Sequence, residues 1–256
     1  MEIEVVTKRK RVILDSRDRD VVAYPSPDAY VVQLPDDILD VTSVKLLTAD
    51  VPFSAFLVGP GNRRVPVTVS GTARDALLPL GDYAGSADLG AALATALNAA
   101  GLSAFFTVTV APRTDSLVIA ATAPFAIDFS GASGAARLLG FAATAYPAYT
   151  FLAAPFRVCL TRERYVVMNL TPNAETLVSA CNAVDRSFAV LPDRSAPLSI
   201  DCDDVPFEKK WATPQARVSR IGVSFTDRDG APYDFQNQEN RVELLFEYAA
   251  NRRYVM

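Results

Sequence analysis

Acidic side chains gather at three places in this chain, and each cluster has residue types that bind cations or move protons. The first, Asp15-Ser16-Arg17-Asp18-Arg19-Asp20, follows directly on the apolar Val12-Ile13-Leu14. As a site it would hold a cation or present an acid beside a base. As structure it would be a strand end, with Asp15 and Ser16 accepting from backbone amides and Arg17 and Arg19 paired with acids; this is the commoner fate of a charge-rich turn. The second, Asp227-Arg228-Asp229-Gly230-Ala231-Pro232-Tyr233-Asp234, starts like a calcium loop. It lacks a third ligand before the glycine and the closing glutamate that an EF-hand needs, and a turn with Gly230 at positive φ accounts for the same residues. The third, Asp201-Cys202-Asp203-Asp204, is as acidic, but nothing in the sequence brings it near Asp227.

The chain contains no histidine. That excludes Ser-His-Asp and Cys-His nucleophilic sites, imidazole metal ligation and histidine pH switching. An enzyme would have to use carboxylates, Lys, Tyr or Cys, for example a glycosidase with two acids held across a cleft. Cys159, Cys181 and Cys202 are far apart and form no CxxC pattern, so they are expected as free thiols in a reducing compartment. No cofactor or metal signature stands out. Gly59-Pro60-Gly61-Asn62-Arg63-Arg64 is not a phosphate-binding P-loop, and in Gly131-Ala132-Ser133-Gly134 the serine is placed to cap a short helix.

The one basic run is Lys8-Arg9-Lys10-Arg11. It would serve as a nuclear-import signal, a nucleic-acid arm or a contact to anionic lipid, or else as a solvated arm free to reach a neighbouring molecule. With 25 Lys and Arg against 29 Asp and Glu, net charge −4, the whole chain lacks the basic excess of a nucleic-acid binder. No segment is apolar enough for a membrane span, and the first residues carry acids where a signal peptide has bases; the expectation is a soluble intracellular product.

Of 39 alanines, 21 fall between Ala84 and Ala148, which marks a stretch with a different helix bias from its flanks. Within it, Ser86 reads as an N-cap, Asp88 as a first-turn acid and Leu89, Leu93 and Leu97 as one apolar helix face stopped by Gly101. Strands are expected over 105–110, 117–121 and 125–129, with a second short helix over 134–139. Tyr146, Tyr149, Phe151 and Phe156 follow without a clean period, as partner anchors or as core.

The flanks alternate as strands. Tyr30, Val32 and Leu34 form one face; Val44, Leu46 and Thr48 another; Val65, Val67 and Val69 a third. Near the end, Ile221, Val223 and Phe225, then Val242, Leu244, Phe246 and Tyr248, read as buried faces of antiparallel strands. Seventeen prolines argue against long helices in these flanks. Together these patterns imply a mainly β protein: a jelly-roll-like antiparallel β-sandwich built from 1–80 and 146–256, with a small alanine-rich α+β module inserted over 81–145.

Three strings resemble the opening of minor capsid proteins of large nucleocytoplasmic double-stranded DNA viruses. They are Val12-Ile-Leu-Asp-Ser-Arg-Asp-Arg-Asp20, Tyr24-Pro-Ser-Pro-Asp-Ala-Tyr-Val-Val-Gln-Leu-Pro35, and Ile38 to Pro52 with its Ala49-Asp-Val-Pro52 ending. Gly81-Asp-Tyr83, Ile127-Asp-Phe-Ser130 and Leu138-Leu-Gly-Phe141 are similar to the central module of that family. Arg164 to Met168, Phe188 to Leu191 and Ile221 to Phe246 are similar to its closing strands. The resemblance implies a structural component of an icosahedral virion, a penton-type position included, assembled in the host cytoplasm. The implied partners are the major capsid protein, other minor capsid proteins and further copies of the chain, close to an internal viral membrane, with no specific nucleic acid. It implies no catalytic residue, no metal and no cofactor. The residues expected to meet partners are Lys8, Arg9, Lys10, Arg11, Arg17 and Arg19, and removing 1–11 is expected to leave the isolated fold intact. The alternative is a glycan- or ligand-binding β-sandwich of a fibre or tail-like assembly, for which the single tryptophan, Trp211, beside Lys209 and Lys210, is the natural platform.

Overall fold

Alternation in the flanks becomes strand, and the leucine stripe becomes helix. The computed structural model describes residues 2–172, 174–179, 184–193 and 207–255, and the protein is mainly β. Its strands are β1 (Glu2–Asp15), β2 (Ala29–Asp50), β3 (Arg64–Val69), β4 (Thr72–Leu77), β5 (Phe106–Ala111), β6 (Ser116–Asp128), β7 (Ala145–Ala153), β8 (Tyr165–Thr171), β9 (Ala189–Pro192), β10 (Glu208–Thr226) and β11 (Arg241–Val255). Helices α1 (Ser86–Ala99) and α2 (Ser133–Leu139) lie between β4 and β7 in sequence. The chain forms two compact units: Met1–Ala55 together with Glu163–Met256, and Phe56–Arg162. No helix among the described residues is long and apolar enough to cross a membrane.

The first unit is a jelly-roll-like sandwich made from one antiparallel hydrogen-bonded path, β1-β11-β2-β10-β8-β9. The path closes over a core because its two longest strands change direction. In β2, the exposed Pro35-Asp36-Asp37 separates buried Leu34 from buried Ile38, and Asp40 at φ 51° switches the buried positions to Val41 and Val44. Strand β10 adjusts at the same places, with register shifts between Val218 and Arg220 and between Lys210 and Gln215. Strands β1 and β8 are not neighbours in the path, yet Val12 and Leu14 share one buried cluster with Val166, Met168 and Leu170. The faces expected from alternation, Ile221, Val223 and Phe225 and then Val242, Leu244 and Phe246, lie in that cluster. Each such side chain contributes about 1.5–3 kcal/mol by leaving water.

In the second unit the path is β4-β3-β6-β5, and β7 pairs with β6 as well. Ser70 and Gly71, both at positive φ, make the two-residue turn between β3 and β4. The alternating valines of β3 and Leu117, Ile119, Phe125 and Ile127 of β6 face a core closed by Leu89, Leu93 and Leu97 of α1. Gly90 lets the helix approach the sheet: a Cβ there would stand 3.3 Å from Leu117.

Several local expectations are corrected. Gly85, not Ser86, caps α1; Ser86 is the first helical residue and its hydroxyl donates to Asp115, while the Asp88 carboxylate accepts from the Ala84 N–H at 3.1 Å. The separate strand expected over 125–129 is the second half of β6. Val65, Val67 and Val69, grouped with the flanks by sequence, lie on β3 of the second unit, where Val67, Thr68 and Val69 pair with Ile127, Ala126 and Phe125 of β6 and Val65 pairs with Ala76 of β4. Short helix α2 ends at Gly140, whose φ of 78° suits glycine and whose missing Cβ leaves room for the Phe156 carbonyl.

Candidate assembly surfaces

The acidic cluster after β1 is a structural clasp. Asp15 caps a single 3-10 turn over Ser16–Asp18, accepting from the Arg17 N–H at 3.0 Å, and the Arg17 guanidinium pairs with the same carboxylate on the surface. The guanidinium's hydrogen bond, with a smaller part from the backbone N–H, holds the Asp15 carboxyl below its ordinary value. Ser16 and Asn240 exchange bonds: the Ser16 N–H donates to the Asn240 carbonyl at 3.0 Å, and the Asn240 N–H donates to the Ser16 hydroxyl at 2.8 Å. The Asn240 amide then donates to the Pro27 carbonyl and accepts from the Tyr30 hydroxyl, both at 2.9 Å. Burial pushes the Tyr30 phenol well above its usual value.

Arg19 completes this network from inside. Its side chain is 4% exposed, pairs with Glu239 and donates to the carbonyls of Ser16 (2.6 Å) and Tyr24 (3.1 Å). Arg19 is therefore unavailable at the surface, whereas Arg17, with its side chain 73% exposed, remains there. The clasp ties the end of β1, the entry to β2 and the entry to β11, which is why acids and bases alternate at this point of the chain.

Lys8, Arg9, Lys10 and Arg11 lie within β1, not in an arm preceding the first strand. Arg9 and Arg11 are exposed but each is bound by a glutamate of β11, Glu247 and Glu243, at 2.8 Å. Lys10 has only a 3.9 Å contact to Asp36. The run is thus half neutralised by its own sheet, which weakens it as a polyanion site. What it keeps is position: β1 ends the hydrogen-bonded path, and no strand among the described residues pairs with its other edge.

The second unit presents an apolar sheet face. At the start of β5, Phe106 points into the core, while Phe105 immediately before the strand is 62% exposed; on β7, Leu152 points in and Phe151 points out, 61% exposed. Between them on β6, Ala120 is opposite both Thr107 and Phe151. Tyr149 and Phe156 are also exposed, whereas Tyr146 packs on Phe129 and Phe141. The aromatic-rich segment thus divides into one core residue and three surface ones. Strand parity predicts the division for Phe105 and Phe106 once β5 is located; the bulged pairing of β6 with β7 hides it for 146–151.

The remaining motifs build turns. Asp227 accepts from the N–H groups of Asp229 (2.8 Å) and Ala231 (2.9 Å), with Gly230 at φ 84°. Burial raises its carboxyl above the ordinary value despite those two bonds. Asn62 closes the Gly59 turn through Gly59 and Leu57. Trp211 is half-buried against the first unit's core and offers no free platform. Asp201 to Asp204, Cys181 and Cys202 lie outside the described residues. Among the described residues no group of His, Cys, Asp and Glu is placed to hold a metal.

These surfaces define a β protein whose polar clusters are structural ties and whose exposed features are a strand edge and an aromatic sheet face. No family model matches the chain, and no curated protein matches it. Among solved structures the chain is similar to the mavirus penton protein, at 12% identity and TM-score 0.37 over 97% of this chain and 100% of that one. It is similar to a chain of the Sputnik virophage structure at 13% identity and TM-score 0.37, covering 96% and 98% respectively. At that identity and score the likeness transfers neither a residue's role nor a partner.

Proposed function

We propose that the chain is a non-enzymatic structural protein of an icosahedral virion, a minor capsid component that cements or caps capsomers of a major capsid protein. The observation that carries this reading is where the capsid-like strings fall. Val12 to Asp20 is the end of β1 and the clasp, Tyr24 to Pro35 is the entry to β2, and Ile38 to Pro52 is the rest of β2. The resemblance therefore follows one continuous, hydrogen-bonded part of the first unit. The exposed Phe105 and Phe151 supply a protein-binding face of the kind that assembly needs. Partners under this reading are the major capsid protein and other minor capsid proteins near an internal membrane, with assembly in the host cytoplasm.

Purified virions test it. The chain is expected in intact particles at a fixed ratio to the major capsid protein, and as density in a capsid reconstruction. A Phe105→Ser/Phe151→Ser variant is expected to fold but to enter particles poorly. Recovery of the wild-type chain only in the soluble fraction of infected cells overturns the proposal.

A further inference from the structure

Among the described residues, strand β1 is built unlike the edge strands β4, β5, β7 and β9. Edge strand β7 carries Pro147, β9 is four residues ending at Pro192, and β4 and β5 are six residues each. Such features blunt an edge against pairing. Strand β1 runs fourteen residues with neither proline nor glycine. Its pairing with β11 shifts register between Val6 and Thr7, but the extra residue, Ala250, is on β11, so β1 keeps unbroken alternation.

The outer half of this edge also lacks support on its other side. Strand β2 pairs with β11 only over Arg241 to Tyr248, whereas β1 continues along β11 to Val255. Residues 2–6 and 251–255 thus form a two-stranded ribbon, an arrangement that is marginal in water without a third strand.

The sequence of β1 specifies a partner for that edge. Its first part carries Glu2 and Glu4, and its second part Lys8 and Lys10, all at even positions on one face of the strand. Antiparallel pairing of β1 with a second β1 about a two-fold axis at Val6 sets Glu2 opposite Lys10 and Glu4 opposite Lys8, each pair occurring twice by symmetry. Val5 then meets Thr7, and Val6 meets its own copy. Arg9 and Arg11, on the other face, already have Glu247 and Glu243. A two-fold perpendicular to the sheet preserves faces, so this register satisfies the charges without turning either strand over.

We infer that β1 is a self-complementary edge through which two copies of this chain pair, making a continuous β11-β1-β1-β11 sheet across a two-fold axis. The inference rests on strand register and charge order alone and does not depend on the virion assignment.

Sedimentation velocity of the full chain tests it, without any virion. Wild type is expected to dimerise, more weakly as salt rises. Glu2→Lys/Glu4→Lys and Lys8→Glu/Lys10→Glu each oppose like charges, and each alone is expected to self-associate about tenfold or more weakly. An equimolar mixture of the two pairs opposite charges at every position and is expected to regain the dimer, as is the single chain carrying all four substitutions. Circular dichroism and melting curves confirm folding, and the mixture and the four-fold variant keep the test decisive if one double variant folds poorly. A wild type that stays monomeric at its highest soluble concentration overturns the inference. So do charge-reversed variants that dimerise as well as wild type, or a mixture that does not.

Discussion

Arg19 and Asp227 show how the same residue types that suggest chemistry are consumed by structure. Arg19 spends its guanidinium on Glu239 and two carbonyls at a buried position, where breaking a hydrogen-bonded pair typically costs about 3 kcal/mol or more. Asp227 holds a tight turn with its carboxylate, and burial sets the sign of its pH dependence. Its carboxyl is raised above the ordinary 3.8 in the folded chain. Its contribution to stability is therefore complete below that ordinary value and is lost as pH rises through the raised one. Asn at this position keeps an oxygen to accept from Asp229 and Ala231 but never charges. Asp227→Asn is expected to melt higher than wild type at neutral pH and at the same temperature near pH 3. An equal advantage at both pH values would show that the carboxylate charge is not what burial opposes. Asp15 has the opposite sign, since its bond from Arg17 lowers the carboxyl and favours the fold above the ordinary value.

Elements were more legible than their partners. Alternation located the two ends of β2, read as separate runs, the last part of β10 and the first half of β11, and the spacing of Leu89, Leu93 and Leu97 located α1, because burial of one face leaves a period in the sequence. Alternation in Val65, Val67 and Val69 signals a half-buried strand equally well in either unit; only the pairing with β6 assigns it. The basic run was harder still. Four consecutive charges mask the period of β1, and the glutamates that neutralise two of them lie more than 230 residues away on β11. The clasp was readable in kind, as acids and bases meeting backbone, but its partners Glu239 and Asn240 were not, since both come from the other end of the chain. Placing 1–11 inside the sheet reverses one expectation. Removal of residues 1–11 strips β11 of most of its outer partner and exposes the edge from Leu245 and Phe246 onward. The truncated chain is expected to melt lower by roughly 5 °C or more, measured dilute and in high salt so that self-association does not contribute. An unchanged melting temperature would return this segment to the status of a free arm.

At the scale of the molecule, the two hydrophobic clusters share no residue: one runs from Leu57 to Val158, with Leu160 against it, and the other draws only on the flanks. Each unit therefore carries its own core, and the inserted one is contiguous in sequence. Its ends are tied locally: Val58 bridges to Gly81, and Arg162 pairs with Asp82 at 2.6 Å. A contiguous segment with a private core and fastened ends has what an independent folding unit needs. Residues 56–162 expressed alone are expected to fold, with dispersed amide resonances and a cooperative melt. In that fragment Leu93→Ala, which empties a fully buried site facing the sheet, is expected to cost about 3 kcal/mol. A fragment without a cooperative transition would show that the flanks supply part of its stability. A folded fragment would mean that the exposed Phe105 and Phe151 face can be assayed for partners apart from the β1 edge, so that the two surfaces can be assigned their own roles in assembly.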